Sequence, residues 1–129
     1  MSESAVRGVA ILLWACEPEA PQRLATPFFH AAAAAAMDLQ VEVYFSARSV
    51  RLLQPGVAET LRASPYHAKN VLDAMREAVA HGARLYACTD ALHANGMSLE
   101  RLIPECSGHG GAVQFVSRLI DPAWRTMVF

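Results

Sequence analysis

Lysine is almost missing from this chain: Lys69 is the only one, and the other basic side chains are arginines scattered singly. With no basic run or stripe, the sequence offers no grip for nucleic acid and none for an anionic membrane surface. Arginine in that dispersed pattern suits bidentate pairing with carboxylates, within the fold or between subunits. Charge is scarce altogether. Charged residues are 18% against 53% apolar, with a net charge of −1, which excludes a disordered chain. Long hydrophobic runs are also lacking, since the early run Val9 to Cys16 is too short to span a bilayer. Its end, "LWAC" (Leu13 to Cys16), looks like a lipoprotein cleavage site, but the apolar segment is short and its flank sets Glu3 against Arg7, a poor leader. The segment reads as a buried strand and the protein as cytoplasmic. Cysteines are few and odd in number (Cys16, Cys88 and Cys106), which excludes a disulfide framework. "CSGH", Cys106 to His109, and the pair Cys88 and His93 lack a second short-spaced cysteine pair, so no zinc site is expected. "SGHGG" has neither the lysine of a phosphate-binding Walker loop nor the spacing of a dinucleotide fingerprint, and no organic cofactor is expected.

What is present is alternation. The 129 residues suit one domain spanning 1–129. "VAILLWA", Val9 to Ala15, is continuously apolar, as in a strand covered on both faces. Thr26-Pro27 opens a helix running to about Asp38, with Phe29, Ala32, Ala33 and Ala36 on its inner face. Val41 to Phe45 is the second strand, and Arg48 to Leu53 a short helix. Val71, Leu72, Met75, Ala78 and Val79 recur at helical spacing, and Gly82 ends that helix as a left-handed cap. Ala83 to Cys88 is the third strand, and Asp90 to Asn95 a short helix ended by Gly96. Ser98 to Pro104 holds a helical turn and a short strand, and Ser107 to Gly111 is a turn opening a helix through Val113, Val116, Leu119 and Ile120. Arg125 to Phe129 is the last strand. The order predicts a three-layer α/β/α sandwich around a mainly parallel five-stranded sheet, flavodoxin-like in topology. Such sheets gather their sites at the carboxyl ends of the strands.

Four candidate loops fall on that rim. Cys88 ends a strand where Thr89 or Asp90 can cap the next helix, and free N–H groups at a helix start favour thiolate. Asp90 opposes this, because a neighbouring carboxylate disfavours a second negative charge. The competing reading of Cys88 is a buried, inert thiol. Cys16 shares the rim and suits a relay only if its sulfur approaches Cys88, with Glu17 and Glu19 working against its thiolate. Arg48 is placed to meet an anionic substrate, or else to form a surface ion pair. His109 suits an acid, a base or a charge partner to a thiolate. A flavin is set aside, since "CEPEAPQ", Cys16 to Gln22, brings carboxylates and prolines where phosphate would need hydroxyls and glycine. A thiol-dependent hydrolase using His93 and Asp90 lacks an oxyanion signature. Trp14, Trp124 and Phe129 are anchors for core or interface, and the dense aliphatics of Val50 to Val57 suggest self-association.

"AAAAMDLQVEVYFSARSVRLL", Ala33 to Leu53, and "LYACTDALHANGM", Leu85 to Met97, with the ending "GGAVQFVSRLIDPAWRTMVF", carry a resemblance over nearly the whole chain. The sequence resembles the DsrE/DsrF-like family, which includes the TusD sulfur-relay proteins. Cys88, Ala91, Leu92, Gly96 and Met97 fall in register with the segment that carries that family's sulfur-accepting cysteine. After the second strand the chain departs from it, with Ala47-Arg48-Ser49 where glycine or an acidic residue is frequent. The resemblance implies a DsrE-like parallel fold and homotrimers or homohexamers. It also implies a persulfide on Cys88, exchanged with sulfur donor and acceptor proteins, with no cofactor. The alternative is a homo-oligomeric module of the same fold without sulfur chemistry, binding a small anion through Arg48, His109 and the backbone of Ser107 to Gly111.

Overall fold

In the computed structural model, residues 5–129 are described. Glu3, weighed above in the leader flank, lies outside them. The elements run β1 (Gly8–Leu13), α1 (Ala25–Ala36), β2 (Gln40–Phe45), α2 (Val71–Ala80), β3 (Arg84–Ala87), α3 (Thr89–Ala94), β4 (Cys106–His109), α4 (Ala112–Leu119) and β5 (Trp124–Val128). The strands form one five-stranded sheet in the order β4-β3-β2-β1-β5. Every pairing is parallel. This is the expected three-layer α/β/α sandwich. Its winding has one reversal, as flavodoxin-like sheets do, but places it differently from the 2-1-3-4-5 order. Here β1 to β4 step in one direction, and the chain then returns across the whole sheet to lay β5 beside β1.

That path decides what covers each face. Right-handed crossovers put α1, α2 and α3 on one side, over Ile11, Leu13, Val43, Phe45 and Leu85. Among the described residues, the single return crossover puts only α4 on the other side, where Phe115 packs with Ala10, Tyr44, Ala123 and Trp124. Trp124 is 4% exposed and lies so close to the first strand that a Cβ on Gly8 would stand 2.6 Å from its ring. Glycine at position 8 is therefore a packing requirement. The short segment Ala47–Leu53, a 3₁₀ helix, buries Val50, Leu52 and Leu53 within the chain's own core. Its aliphatic density is thus accounted for without a partner.

Two expectations are corrected. Helix α1 buries Pro27, Phe28, Ala31, Ala34 and Ala35, whereas Phe29, Ala33 and Ala36 are exposed and Ala32 is half-buried. Six consecutive alanines give no contrast between faces, so the sequence left the helix free to rotate about its axis. The helix begins at Ala25, with no side-chain cap from Thr26. The fourth strand is not within Ser98 to Pro104, which holds the 3₁₀ turn Leu99–Arg101, but at Cys106–His109, where a turn was expected. "CSGH" has no apolar alternation to announce a strand. It is made one by the free edge of β3, through a register shift between Leu85 and Tyr86. Gly82 follows α2 at φ +116, as the expected left-handed cap.

Candidate functional site

Because α3 lies on one face and α4 on the other, the connections leaving β3 and β4 part company at their carboxyl ends. Neighbouring strands whose connections diverge leave a crevice between them. Cys88 stands at that point. Its N–H donates to the Phe45 carbonyl at 3.0 Å, finishing the β2–β3 ladder. It is also the N-cap of α3, accepting from Leu92 N–H at 3.0 Å through its own carbonyl. The capping position thus belongs to the cysteine and not to Thr89 or Asp90, which fall inside the six-residue helix. Asp90 is exposed in the first turn, and Cys88 is half-buried.

The opposite side of the crevice is made by glycines. Gly110 N–H donates to the Ala87 carbonyl at 3.0 Å. A Cβ on Gly110 would meet Tyr86 Cβ at 3.0 Å and Tyr44 Cε1 at 3.2 Å, so the backbone rests on these two stacked rings. Gly111 caps α4, and a Cβ there would stand 3.9 Å from Cys88 Sγ. Between them opens a cavity of about 400 Å³, bordered by Cys88, Leu12, Tyr44, Phe45 and Phe115. Val116 of α4 and Trp14, which is 64% exposed, also line it.

Under α4 lies a part-buried ion pair. Arg118 Nε and Nη2 donate to the two carboxylate oxygens of Glu42 at 2.8 and 2.9 Å, and Tyr44 O–H donates to Glu42 Oε1 at 2.6 Å. Arg118 also stacks 4.1 Å over the ring of Trp124. Burial pushes the Glu42 carboxyl up, but the bonds from Arg118 and Tyr44 outweigh it and hold the group below the ordinary carboxylate range. Burial, together with the bond to Glu42, pushes the Tyr44 hydroxyl well above its ordinary value, so it stays a donor. The cluster pins α4, and with it the glycine wall of the cavity, to β2.

The other candidates lie apart from this cavity. Cys16 is 3% exposed, and burial raises its thiol above the ordinary value despite the nearby Arg23. It borders a separate cavity with Arg23, Thr26 and Phe129. Arg48 donates to Glu17 at 3.2 Å and to Glu19 at 2.7 Å, and Arg51 adds a bond to Glu19 at 2.8 Å. It is a clamp between two rim loops and does not line the cavity. His109 ends β4 with its side chain exposed and does not line the cavity. Cys106 is half-buried on the edge strand, and its thiol is pushed up by burial. Among the described residues, no three His, Cys, Asp or Glu side chains gather as a metal site, and no helix is long and apolar enough to cross a membrane. Sequence reasoning missed Tyr44 and Phe115, whose place shows only once β2 and α4 are packed together; the Gly110 and Gly111 backbone, named as part of an anion-binding turn, forms the wall beside Cys88.

Fold and site together define a class: a parallel α/β/α domain with one half-buried thiol at the switch point of its sheet. The chain belongs to the DsrE/DsrF-like family, whose family model matches residues 10–129. Solved structures share the fold. The ychN protein from E. coli superposes with a TM-score of 0.73 at 16% identity, covering 95% of this chain and 99% of that one. MTH1491 from Methanobacterium thermoautotrophicum, described as a protein of unknown function, gives 0.66 at 18% identity, with 95% and 98% covered. BT1422 from Bacteroides thetaiotaomicron, also of unknown function, gives 0.64 at 12%, with 94% of each chain covered. No curated protein matches the chain significantly.

Proposed function

We propose that this DsrE-family protein is a sulfur carrier that accepts sulfane sulfur on Cys88 as a persulfide and passes it on. The observation that carries this reading is the placement of Cys88: half-buried, at the sheet's switch point, lining an open cavity. In the transfer, the Cys88 thiolate attacks the outer sulfur of a donor persulfide. A bond forms from Sγ to that sulfur, the donor S–S bond breaks, and its electron pair leaves on the donor thiolate. The reverse step on an acceptor thiol returns Cys88 to its resting form. Donor and acceptor proteins are the partners that the family resemblance implies. The three free cysteines suit a reducing compartment, which supports a cytoplasmic setting.

Self-assembly as a homotrimer or homohexamer belongs to the same reading. It is supported by Val113, Val116, Ile120, Trp14 and Val128, which remain exposed on the side of the sheet that α4 alone covers. Sedimentation of the purified protein should give a trimer or hexamer, and a monomer at micromolar concentration would count against it. The rival, a module binding a small anion, would draw on Arg48, His109 and the backbone of Ser107 to Gly111, and neither Arg48 nor His109 lines the cavity. Arg48 and Arg118 are both held by carboxylates, which favours the sulfur reading. Incubation with a persulfide donor, followed by intact mass, tests the function: wild type should gain one sulfur and Cys88→Ser none. Equal gain by both would sink it.

A further inference from the structure

Resting on the sulfur-carrier reading, we propose that the cavity beside Cys88 binds the uncharged, apolar body of a low-molecular-weight organic persulfide. A carrier exchanges sulfur at two ends, and the cavity suits a small molecule at one of them. Its volume, about 400 Å³, falls within the roughly 300–1,000 Å³ of small-molecule sites. Its chemistry is set by what the polar groups around it are already doing. Ser46 Oγ donates to the Leu13 carbonyl at 2.8 Å, and Tyr44 O–H is held by Glu42. Gly110 N–H is taken by Ala87. Among the described residues no lysine, arginine or histidine lines the cavity, and Arg118 beneath it is engaged by both oxygens of Glu42. The sulfur of Cys88 is thus the one reactive group facing apolar side chains. A ligand bearing carboxylates would set them against Leu12, Phe45 and Phe115, with only the backbone N–H groups at the start of α4 to pair them, which is costly. An aromatic or aliphatic body would not.

The step is balanced without an oxidant. The Cys88 thiolate takes the outer sulfur of R–S–SH with its proton, the Sγ–S bond forms as the S–S bond of the persulfide breaks, and R–S⁻ departs with that electron pair. The apolar body then leaves as its thiol.

The test uses the purified, assembled protein. Benzyl persulfide and glutathione persulfide, each generated in situ, are compared for the rate at which Cys88 gains sulfur, each normalised to its rate with free cysteine. N-benzylmaleimide and N-carboxyethylmaleimide make the same comparison by alkylation, with no sulfur transfer. Both pairs should favour the benzyl reagent by roughly tenfold or more, the scale of selectivity an apolar pocket provides. Ala112→Glu puts a carboxylate at the edge of the cavity and should abolish the preference, whereas Met37→Glu, at an exposed position outside both the cavity and the proposed assembly surface, should keep it. Equal normalised rates, or a preference untouched by Ala112→Glu, overturn the proposal. So does a Cys88 that neither maleimide reaches, which would mean that another copy fills the cavity. If Cys88 favours the benzyl maleimide but gains sulfur from neither persulfide, the carrier reading fails and the ligand class of the cavity stands.

Discussion

Replacing Arg118 with methionine should destabilise the protein and reverse how one carboxylate responds to pH. Glu42 is 5% exposed, and Arg118 supplies two of its three hydrogen bonds. Methionine keeps an unbranched stem against Trp124 but leaves the carboxylate with Tyr44 alone. Breaking a buried pair by removing one partner costs about 3–5 kcal/mol. The Arg118 side chain is 31% exposed, so water can reach the vacated place, and we expect about 2–4 kcal/mol. In the wild type the Glu42 carboxyl is held below its unfolded value, so its contribution is present above about pH 4.3 and fades as pH falls through the depressed folded value. Without Arg118, burial dominates and raises the folded value above the unfolded one. The destabilisation is then greatest at neutral pH and is relieved as pH falls toward about 4.3. Urea unfolding at pH 7 and pH 5, followed by tryptophan fluorescence, measures both effects. Glu42→Met combined with Arg118→Met should recover part of that loss, since no charge is then left buried, although the Tyr44 hydroxyl loses its acceptor. A penalty below about 1 kcal/mol at pH 7, a penalty that grows at pH 5, or a double variant no better than the single one would refute the reasoning.

Three further outcomes are expected. Gly8→Ala drives a methyl group into the Trp124 ring at 2.6 Å and should cost about 1–3 kcal/mol, so an unchanged melting temperature would contradict the packing described. Gly111→Ala fits without strain, its Cβ 3.9 Å from Cys88 Sγ in extended backbone, so stability should stay within about 0.5 kcal/mol. The same methyl group should slow alkylation of Cys88, and a faster rate would show that the glycine does not border the thiol. At pH 7, peptide mapping after brief treatment with iodoacetamide should find label on Cys88 ahead of the other cysteines. Label on Cys16 and Cys106 should grow at higher pH, because burial pushes both thiols up; earlier labelling of Cys16 would be inconsistent with its burial.

The alternation of apolar runs and helical periods was enough to read a parallel α/β/α sheet, because β1, β2, β3 and β5 each carry a signal of apolar or β-branched residues. Cys88 was placed on the rim for the same reason. What could not be read was anything that depends on a neighbour. The face of α1 was ambiguous because alanine at every position of the run supplies no contrast. Strand β4 was hidden because "CSGH" becomes a strand only when the edge of β3 offers it partners. The cavity was hidden because its parts come from β1, β2 and α4, and the role of Gly110 is visible only once Tyr44 and Tyr86 are stacked beneath it. The Val50 to Val57 segment misled in the opposite direction, since its aliphatic side chains are largely satisfied within the chain.

The strand order explains why the site should be sensitive to changes far from its sulfur. A sheet that steps from β1 to β4 in one direction needs only one return crossover, so one face is left with one helix. That helix is eight residues long, too short to be stable alone, and is held by Phe115, by Arg118 on Glu42 and by its apolar contact with the sheet. The same helix supplies the glycine N-cap that stands against Cys88. The thiol therefore has one side built on the rigid β2–β3 ladder and the other on an element with few anchors. Loosening those anchors should change access to the sulfur before it unfolds the domain. Arg118→Met at concentrations of urea below its unfolding midpoint should therefore show faster Cys88 alkylation than wild type at the same fraction folded. If the two rates coincide, α4 does not gate the thiol, and the cavity is shaped by the sheet alone.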